Sequence, residues 1–184
     1  MKVKFALLLI LALFFTVSVK AQEENSSECV RAKPAPILSK RAFPKKTFRL
    51  EKNKEFPFEF VGYETVRLKN GDRLTIKNYG CENYSLSFRF ETSRFSGSVG
   101  DARIWYENAV RLIEPLIKNV PNEDLVASGT KALKSFIKNN RTLKFEDQID
   151  FGGTDIQSVA SVSRPRKLKN GKREITVSFG IGPL

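Results

Sequence analysis

The chain of 184 residues contains no histidine, and this absence excludes much common enzyme chemistry. Ser-His-Asp and Cys-His hydrolysis, His-ligated zinc and the usual general base near neutral pH are all ruled out. A phosphate-binding loop is also missing, because residues 96–100 lack the Gly-Lys-Ser/Thr ending that such a loop requires. No EF-hand spacing occurs. We therefore expect no catalytic residue of these classes, no metal site and no cofactor.

Carboxylates alone can still catalyse glycoside hydrolysis, in which two acidic side chains flank the scissile bond. The candidate acids are Glu82, Glu91, Asp147 and Asp150. Their spacing does not distinguish them from ordinary surface acids. The sequence therefore favours a protein that is not an enzyme, with a carboxylate-only glycosidase as the weakest alternative.

The chain has only two cysteines, Cys29 and Cys81. An even number of cysteines in an exported protein indicates a disulfide, and this one would close a loop of about 50 residues, stabilising the fold by a few kcal/mol. Two unpaired thiols, or a bond to another chain, are the alternatives. The spacing does not match the Cys-x-x-Cys motif of redox-active sites.

Only one long apolar stretch is present, and it lies at the N-terminus. Lys2 and Lys4 precede an uncharged run over residues 5–19, and Val19 and Ala21 occupy the −3 and −1 positions of a cleavage site. The run is shorter than the roughly 20 residues that span a membrane. We predict that residues 1–21 are a cleavable secretory signal and that the protein is periplasmic or extracellular, not membrane-spanning.

Positive charge is in excess and unevenly distributed. The formal net charge is +12, and removal of the predicted signal, which contains three lysines, lowers it to +9. Residues 22–54 carry nine basic and four acidic side chains, and residues 164–173 carry six basic and none acidic. Residues 55–163 are almost neutral, with 14 basic and 15 acidic side chains. The excess therefore belongs to an N-terminal segment and one C-terminal segment.

Concentrated positive charge is typical of a surface that meets an anionic partner, such as a membrane face, an acidic polysaccharide or an acidic protein. Nucleic acid is not expected, because neither segment has the interleaved aromatic residues that stack on bases. Simple solvation of an arm and a hairpin is the competing interpretation. The candidate binding residues are Arg164, Arg166, Lys167, Lys169, Lys172 and Arg173.

Residues 22–46 are polar and rich in proline and basic residues, which predicts an extended arm with at most a short docked stretch.

From Thr47 onward the apolar residues alternate with polar ones, which predicts β-strands. Phe56, Phe58 and Phe60 would share one face of an extended segment, although Pro57 indicates an edge or an irregular strand. Two Asn-Gly pairs, at residues 70–71 and 170–171, predict hairpin turns. Further strands are predicted around residues 84–91, 143–151, 156–162 and 175–179.

Helical spacing interrupts the strands in the middle of the chain. Asp101 can cap a helix whose apolar face includes Trp105, and Pro115 predicts a kink or a break. A second helix is predicted from about residue 122 to residues 139–140. We assign Trp105 to the core and not to a ligand site.

A block of strands, two helices and a second block of strands indicates an α+β domain. We predict that residues 47–184 form one such domain, with an antiparallel sheet of six to eight strands, two Asn-Gly hairpins and both helices on one face. The favoured function is an exported, non-catalytic binding, inhibitor or accessory protein that docks on a protein partner through its hairpins or basic arm. The alternative is an envelope-associated protein that binds anionic polymer or lipid. The sequence leaves the oligomeric state open.

Overall fold

The computed structural model describes residues 33–121, 123–154 and 156–183. Its strands form one antiparallel sheet, and the predicted α+β architecture is confirmed. The strands are β1 (Thr47–Lys52), β2 (Phe60–Arg67), β3 (Arg73–Tyr79), β4 (Tyr84–Thr92), β5 (Ile149–Asp150), β6 (Ile156–Val162), β7 (Arg166–Lys167) and β8 (Arg173–Pro183). The order across the sheet is β1-β2-β3-β4-β8-β6-β5, and β7 pairs with β8 outside this path.

Two α-helices and a 3₁₀ helix connect β4 to β5. Helix α1 (Ala102–Ile113) begins at Asp101, whose side chain accepts a hydrogen bond from the backbone N–H of Ile104. The 3₁₀ helix Glu114–Asn119 follows directly, with Pro115 in its first turn, so the predicted break occurs there. Helix α2 (Glu123–Asn139) ends where the two consecutive asparagines predict.

The helices pack on one face of the sheet, which we call the inner face, over β5, β6 and β8. Every second side chain of β4 and β8 points toward these helices. Among them, Phe88 and Phe179 pack edge to face with ring centroids 5.9 Å apart. Trp105 of α1 is fully buried and donates from Nε1 to the backbone carbonyl of Ser98 over 2.7 Å. Its predicted place in the core is confirmed.

The N-terminal segment 33–46 covers the part of the inner face that the helices leave open. Ile37 and Leu38 are buried, and their backbone N–H groups both donate to one carboxylate oxygen of Glu64 on β2, over 2.7 and 2.9 Å. The backbone N–H of Ser39 donates to the carbonyl of Asn119, which links the segment to the 3₁₀ helix. The remaining part of the predicted arm, residues 22–32, and the predicted signal lie outside the described residues.

Two predicted strands are wrong. Residues 53–59 form a loop between β1 and β2, and Phe56 and Phe58 are exposed instead of lying on a strand. Of the strand predicted over residues 143–151, only Ile149–Asp150 pairs with a neighbour. The preceding residues form a turn in which Glu146 adopts a φ of 67° and its N–H donates to the carbonyl of Val162.

Candidate functional site

The opposite face of the sheet, which we call the open face, carries none of the helices of the described chain. Side chains on β1, β2 and β3 that alternate away from the core cover it, and they are mainly hydroxyl-bearing, aromatic or basic. A sheet with one packed and one solvated face normally exposes polar residues there. Aromatic rings on a solvated face are less common, and here they mark the candidate site.

A groove of about 960 Å³ lies at one end of the open face, between the β1–β2 loop and the β3–β4 connection. Phe56 and Phe58 of the loop line it, together with Tyr63 of β2 and Tyr79 of β3. The two phenylalanines are 51% and 45% exposed, and their ring centroids lie 6.1 Å apart. Four aromatic side chains from three segments thus border one cleft, which we call the aromatic groove.

Hydrogen bonds within the β1–β2 loop fix its shape. The backbone N–H of Asn53 donates to the carbonyl of Glu59 over 2.8 Å, and the Asn53 side-chain amide donates to the buried Glu59 carboxylate. The N–H of Glu59 in turn donates to the carbonyl of Phe56 over 2.9 Å. The two exposed rings therefore belong to a turn whose backbone conformation is fixed by hydrogen bonds.

Charged side chains of both signs surround the rings. The Lys77 ammonium lies 4.0 Å from the centroid of the Tyr79 ring, and the Arg49 guanidinium lies 4.7 Å from that of Tyr63. Lys54, Glu55 and other lysines and glutamates line the rim. An apolar centre with a mixed-charge rim is the composition of a protein-binding patch.

The groove continues into a smaller depression of about 340 Å³ in the middle of the open face. Tyr63 lines both cavities, and Arg49 lines the smaller one. In the depression the Thr65 and Thr75 hydroxyls face each other across β2 and β3 at 3.4 Å, beside Arg73 and Arg89. The open face therefore presents hydroxyl and guanidinium donors next to the aromatic groove.

The six basic residues singled out by sequence do not share one face. Arg164 lies with its guanidinium 5.3 Å from the Phe145 ring centroid, near the start of α1. Arg166 on β7 forms an ion pair of 2.5 Å with Glu174.

The other four basic residues lie in or beside the turn before β8. Lys169 and Lys172 belong to this turn, and the Lys172 ammonium donates to the carbonyl of Gly71 over 3.4 Å. Lys167 and Arg173 face each other across β7 and β8. Their role in binding stays a prediction.

The four acids considered for catalysis lie on separate parts of the fold. Glu82 lines the aromatic groove, whereas Glu91 is near the far end of β4, opposite Arg73. Asp147 accepts a hydrogen bond from the Lys144 N–H, and Asp150 accepts one from the Gly152 N–H beside β5. Within the described ranges, no three His, Cys, Asp or Glu side chains gather as a metal site. No helix in the described part of the chain has the length and apolarity of a membrane span.

Cys81 lines the aromatic groove in the β3–β4 connection. The predicted disulfide also involves Cys29, which lies outside the described residues, so this pairing stays a prediction.

Sequence reasoning missed the aromatic groove because it placed Phe56 and Phe58 on one face of an extended strand. The sequence did contain a signal against that placement, because Pro57 between the two phenylalanines cannot donate a ladder hydrogen bond. Nothing in the sequence, by contrast, indicates that Tyr63 and Tyr79 meet them.

No protein-family model, curated protein or solved structure matches this chain.

Proposed function

We propose that this chain is an exported, non-catalytic binding protein that docks on another protein through the aromatic groove. The observation that carries the proposal is the exposure of Phe56 and Phe58 on a hydrogen-bonded loop beside Tyr63 and Tyr79. Aromatic side chains lose little conformational entropy on binding and bury a large area, so they dominate protein interfaces. The proposed protein interface is therefore on the open face, and binding by the hairpin residues that the sequence favoured is a separate prediction.

Two observations support the non-catalytic part of the proposal. The chain contains no histidine, and the acids at residues 82, 91, 147 and 150 are distributed over different elements. A carboxylate-only glycosidase needs two carboxyl groups about 5 to 10 Å apart across a cleft, and only Glu82 of these four acids lines the groove. Of the other groove glutamates, Glu51 pairs with Arg49 and Glu59 accepts a hydrogen bond from Asn53.

The mixed charge of the groove rim favours a partner segment with an apolar side chain flanked by charged residues. The apolar side chain would bind between the phenylalanine and tyrosine rings, and the flanking charges would meet lysines and glutamates of the rim. Such a segment gains affinity from the buried rings and orientation from the rim.

Site-specific crosslinking tests this interface. A photoreactive phenylalanine analogue replaces Phe58 in one variant and Ser128, an exposed residue of α2 on the other side of the sheet, in a matched control. We expect one protein from the producing cells or their medium to crosslink at position 58 and not at position 128. Adding excess wild-type protein should abolish the crosslink, whereas excess Phe56→Ser, Phe58→Ser double variant should not. Equal crosslinking at both positions would refute the groove as the interface.

Export is tested separately by the mass of the protein recovered outside the cytoplasm. The proposed signal predicts a mature chain beginning at Gln22. Recovery of the intact chain from the cytoplasm would remove the export part of the proposal and leave the groove unaffected.

A further inference from the structure

The β2–β3 and β7–β8 hairpins have turns of the same sequence and geometry. In both turns a leucine N–H donates to the carbonyl four residues later over 2.8 Å, in the pairs Leu68 to Asp72 and Leu168 to Lys172. Both turns also have an asparagine side chain that accepts from the N–H two residues ahead over 3.1 Å. The glycines have φ values of 84° and 81°. These are type I turns closed by a glycine bulge, and each presents a lysine and an asparagine outward.

The two turns lie side by side at the same end of the sheet. The sheet order places only β4 between β3 and β8, and the Lys172 ammonium of one turn reaches the Gly71 carbonyl of the other over 3.4 Å. The exposed turn lysines, Lys69 and Lys169, therefore project from one common end.

In each hairpin, the pair of residues that flanks the turn consists of two positively charged side chains facing each other. Arg67 faces Arg73 across β2 and β3, and Lys167 faces Arg173 across β7 and β8. Like charges directly opposite each other destabilise a strand pair. The same like-charged pair thus occurs in both hairpins, so both contribute positive charge to this end of the sheet.

In the described part of the chain, no acidic side chain forms an ion pair with the basic residues at this end, although Glu91 faces Arg73 across β3 and β4. Asp72 is buried and bound by Arg94 at 2.8 Å, and Glu174 is bound by Arg166 at 2.5 Å. Seven basic side chains at this end form no ion pair with any residue that the structure describes. They are Arg67, Lys69, Arg73, Lys167, Lys169, Lys172 and Arg173, and we call them the basic end.

We propose that the basic end binds a linear anionic polysaccharide, a polymer with carboxylate or phosphate groups repeated along its chain. Adjacent strands lie about 4.8 Å apart, so a polymer that crosses the strands meets successive basic side chains. Arg67 and Arg73 point to the open face, whereas Lys167 and Arg173 alternate toward the inner face. A flexible polymer can contact both faces and the turns, but a flat lipid surface can contact only one side. The turns also present no exposed apolar residue that could enter a bilayer.

This inference concerns a different surface from the aromatic groove and does not depend on the proposed protein partner. The two sites together would hold the protein on an anionic matrix while the groove engages another protein.

Binding of purified protein to fluorescent polygalacturonate, with neutral dextran for comparison, tests the proposal. The test variant carries Arg67→Gln, Lys69→Gln, Lys167→Gln and Lys169→Gln. The matched control loses the same charge elsewhere, through Lys40→Gln, Lys118→Gln, Lys131→Gln and Lys138→Gln. All four control lysines are exposed and outside every ion pair of the described chain.

We expect the test variant to bind polygalacturonate at least tenfold more weakly than wild type, and the control to stay within about twofold. Wild-type affinity should fall steeply between about 50 and 200 mM salt, and the dependence should be shallower in the test variant. Equal weakening in both variants would show that only net charge matters and would overturn the site. Absence of polymer binding would overturn the proposal, and binding to phosphatidylglycerol vesicles without polymer binding would replace it with a membrane surface.

A second variant, Arg67→Glu with Lys167→Glu, keeps the result interpretable if the first is poorly folded. It changes both like-charged pairs into opposite-charged pairs, so we expect a higher melting temperature together with weaker polymer binding. A lower melting temperature would contradict the argument from charge repulsion.

Discussion

The Lys46 ammonium and the Glu64 carboxylate form an ion pair of 2.5 Å at the buried contact between segment 33–46 and β2. Glu64 is only 2% exposed. Its Oε1 atom contacts Lys46, while its Oε2 atom accepts two backbone hydrogen bonds from the same segment. Each partner compensates the buried charge of the other, so this pair connects the N-terminal segment to the sheet.

Glu64→Gln should destabilise the fold strongly. The substitution leaves the Lys46 ammonium buried without its counter-charge, and breaking a buried pair costs about 3–5 kcal/mol. Urea denaturation measures the change in the free energy of unfolding. The control is Glu51→Gln, which breaks the exposed Arg49–Glu51 pair of 2.9 Å and should change stability by less than about 1 kcal/mol.

The double variant Lys46→Met, Glu64→Gln should recover much of that loss, because no uncompensated charge remains and the glutamine still accepts a backbone hydrogen bond. A Glu64→Gln protein as stable as wild type would contradict this account of the pair.

Gly129→Ala should destabilise the protein, although alanine is the better helix former. A Cβ atom at this position of α2 would lie 2.4 Å from Cδ1 of the buried Phe179 ring and 3.1 Å from the Phe151 ring. We expect a loss of about 1–3 kcal/mol from overpacking, measured by urea denaturation. The neighbouring Ser128→Ala, at an exposed position of the same helix, should be neutral or slightly stabilising. Equal effects of the two substitutions would rule out the close packing of α2 against β8.

Tyr106→Phe should alter how stability depends on alkaline pH. Burial, with a contribution from the Asp147 charge, raises the pKa of Tyr106 from 10.0 to about 12. Between these values the unfolded chain has lost the phenolic proton and the native chain keeps it. The free energy of unfolding therefore falls as the pH rises from about 10 to 12.

Removing the hydroxyl should make that fall shallower. At pH 9 the variant should also be about 1 kcal/mol less stable than wild type, because the hydrogen bond of 2.9 Å to the Lys144 carbonyl is lost. Thermal unfolding at pH 9 to 12 measures both effects. Parallel pH profiles for the two proteins would show that Tyr106 does not titrate as described.

Replacing both groove phenylalanines, Phe56→Ser with Phe58→Ser, should leave stability within about 0.5 kcal/mol of wild type, because both rings are about half exposed and lie outside the core. Phe88→Ala, in which a fully buried ring is lost, should cost about 3–5 kcal/mol. Urea denaturation of the two variants compares them directly. A large loss of stability in the double variant would mean that the rings support the fold and are not free for a partner.

Much of the architecture could be predicted from local pattern. Alternating residues on β4 and β8, the two Asn-Gly turns and the break at Pro115 all depend on interactions between residues close in sequence. The strands near residues 56 and 145 could not be placed correctly in this way. Their alternating apolar residues permit a strand, but no neighbouring strand is available to supply ladder hydrogen bonds. Instead, local hydrogen bonds stabilise a loop in each region, between Asn53 and Glu59 in the first and between Glu146 and Val162 in the second.

The sequence by itself determined the fold class, the positions of the turns and the two helices, and the exclusion of histidine chemistry, because composition and short-range periodicity are local properties. Only the tertiary structure decided which charges lie together and which aromatic rings share a cleft. Strand order brings two turns 100 residues apart to one end of the sheet, where Lys172 reaches Gly71. It also brings Tyr63 and Tyr79 into the same cleft as the exposed Phe56 and Phe58. Such contacts depend on long-range strand pairing, which local sequence pattern does not specify.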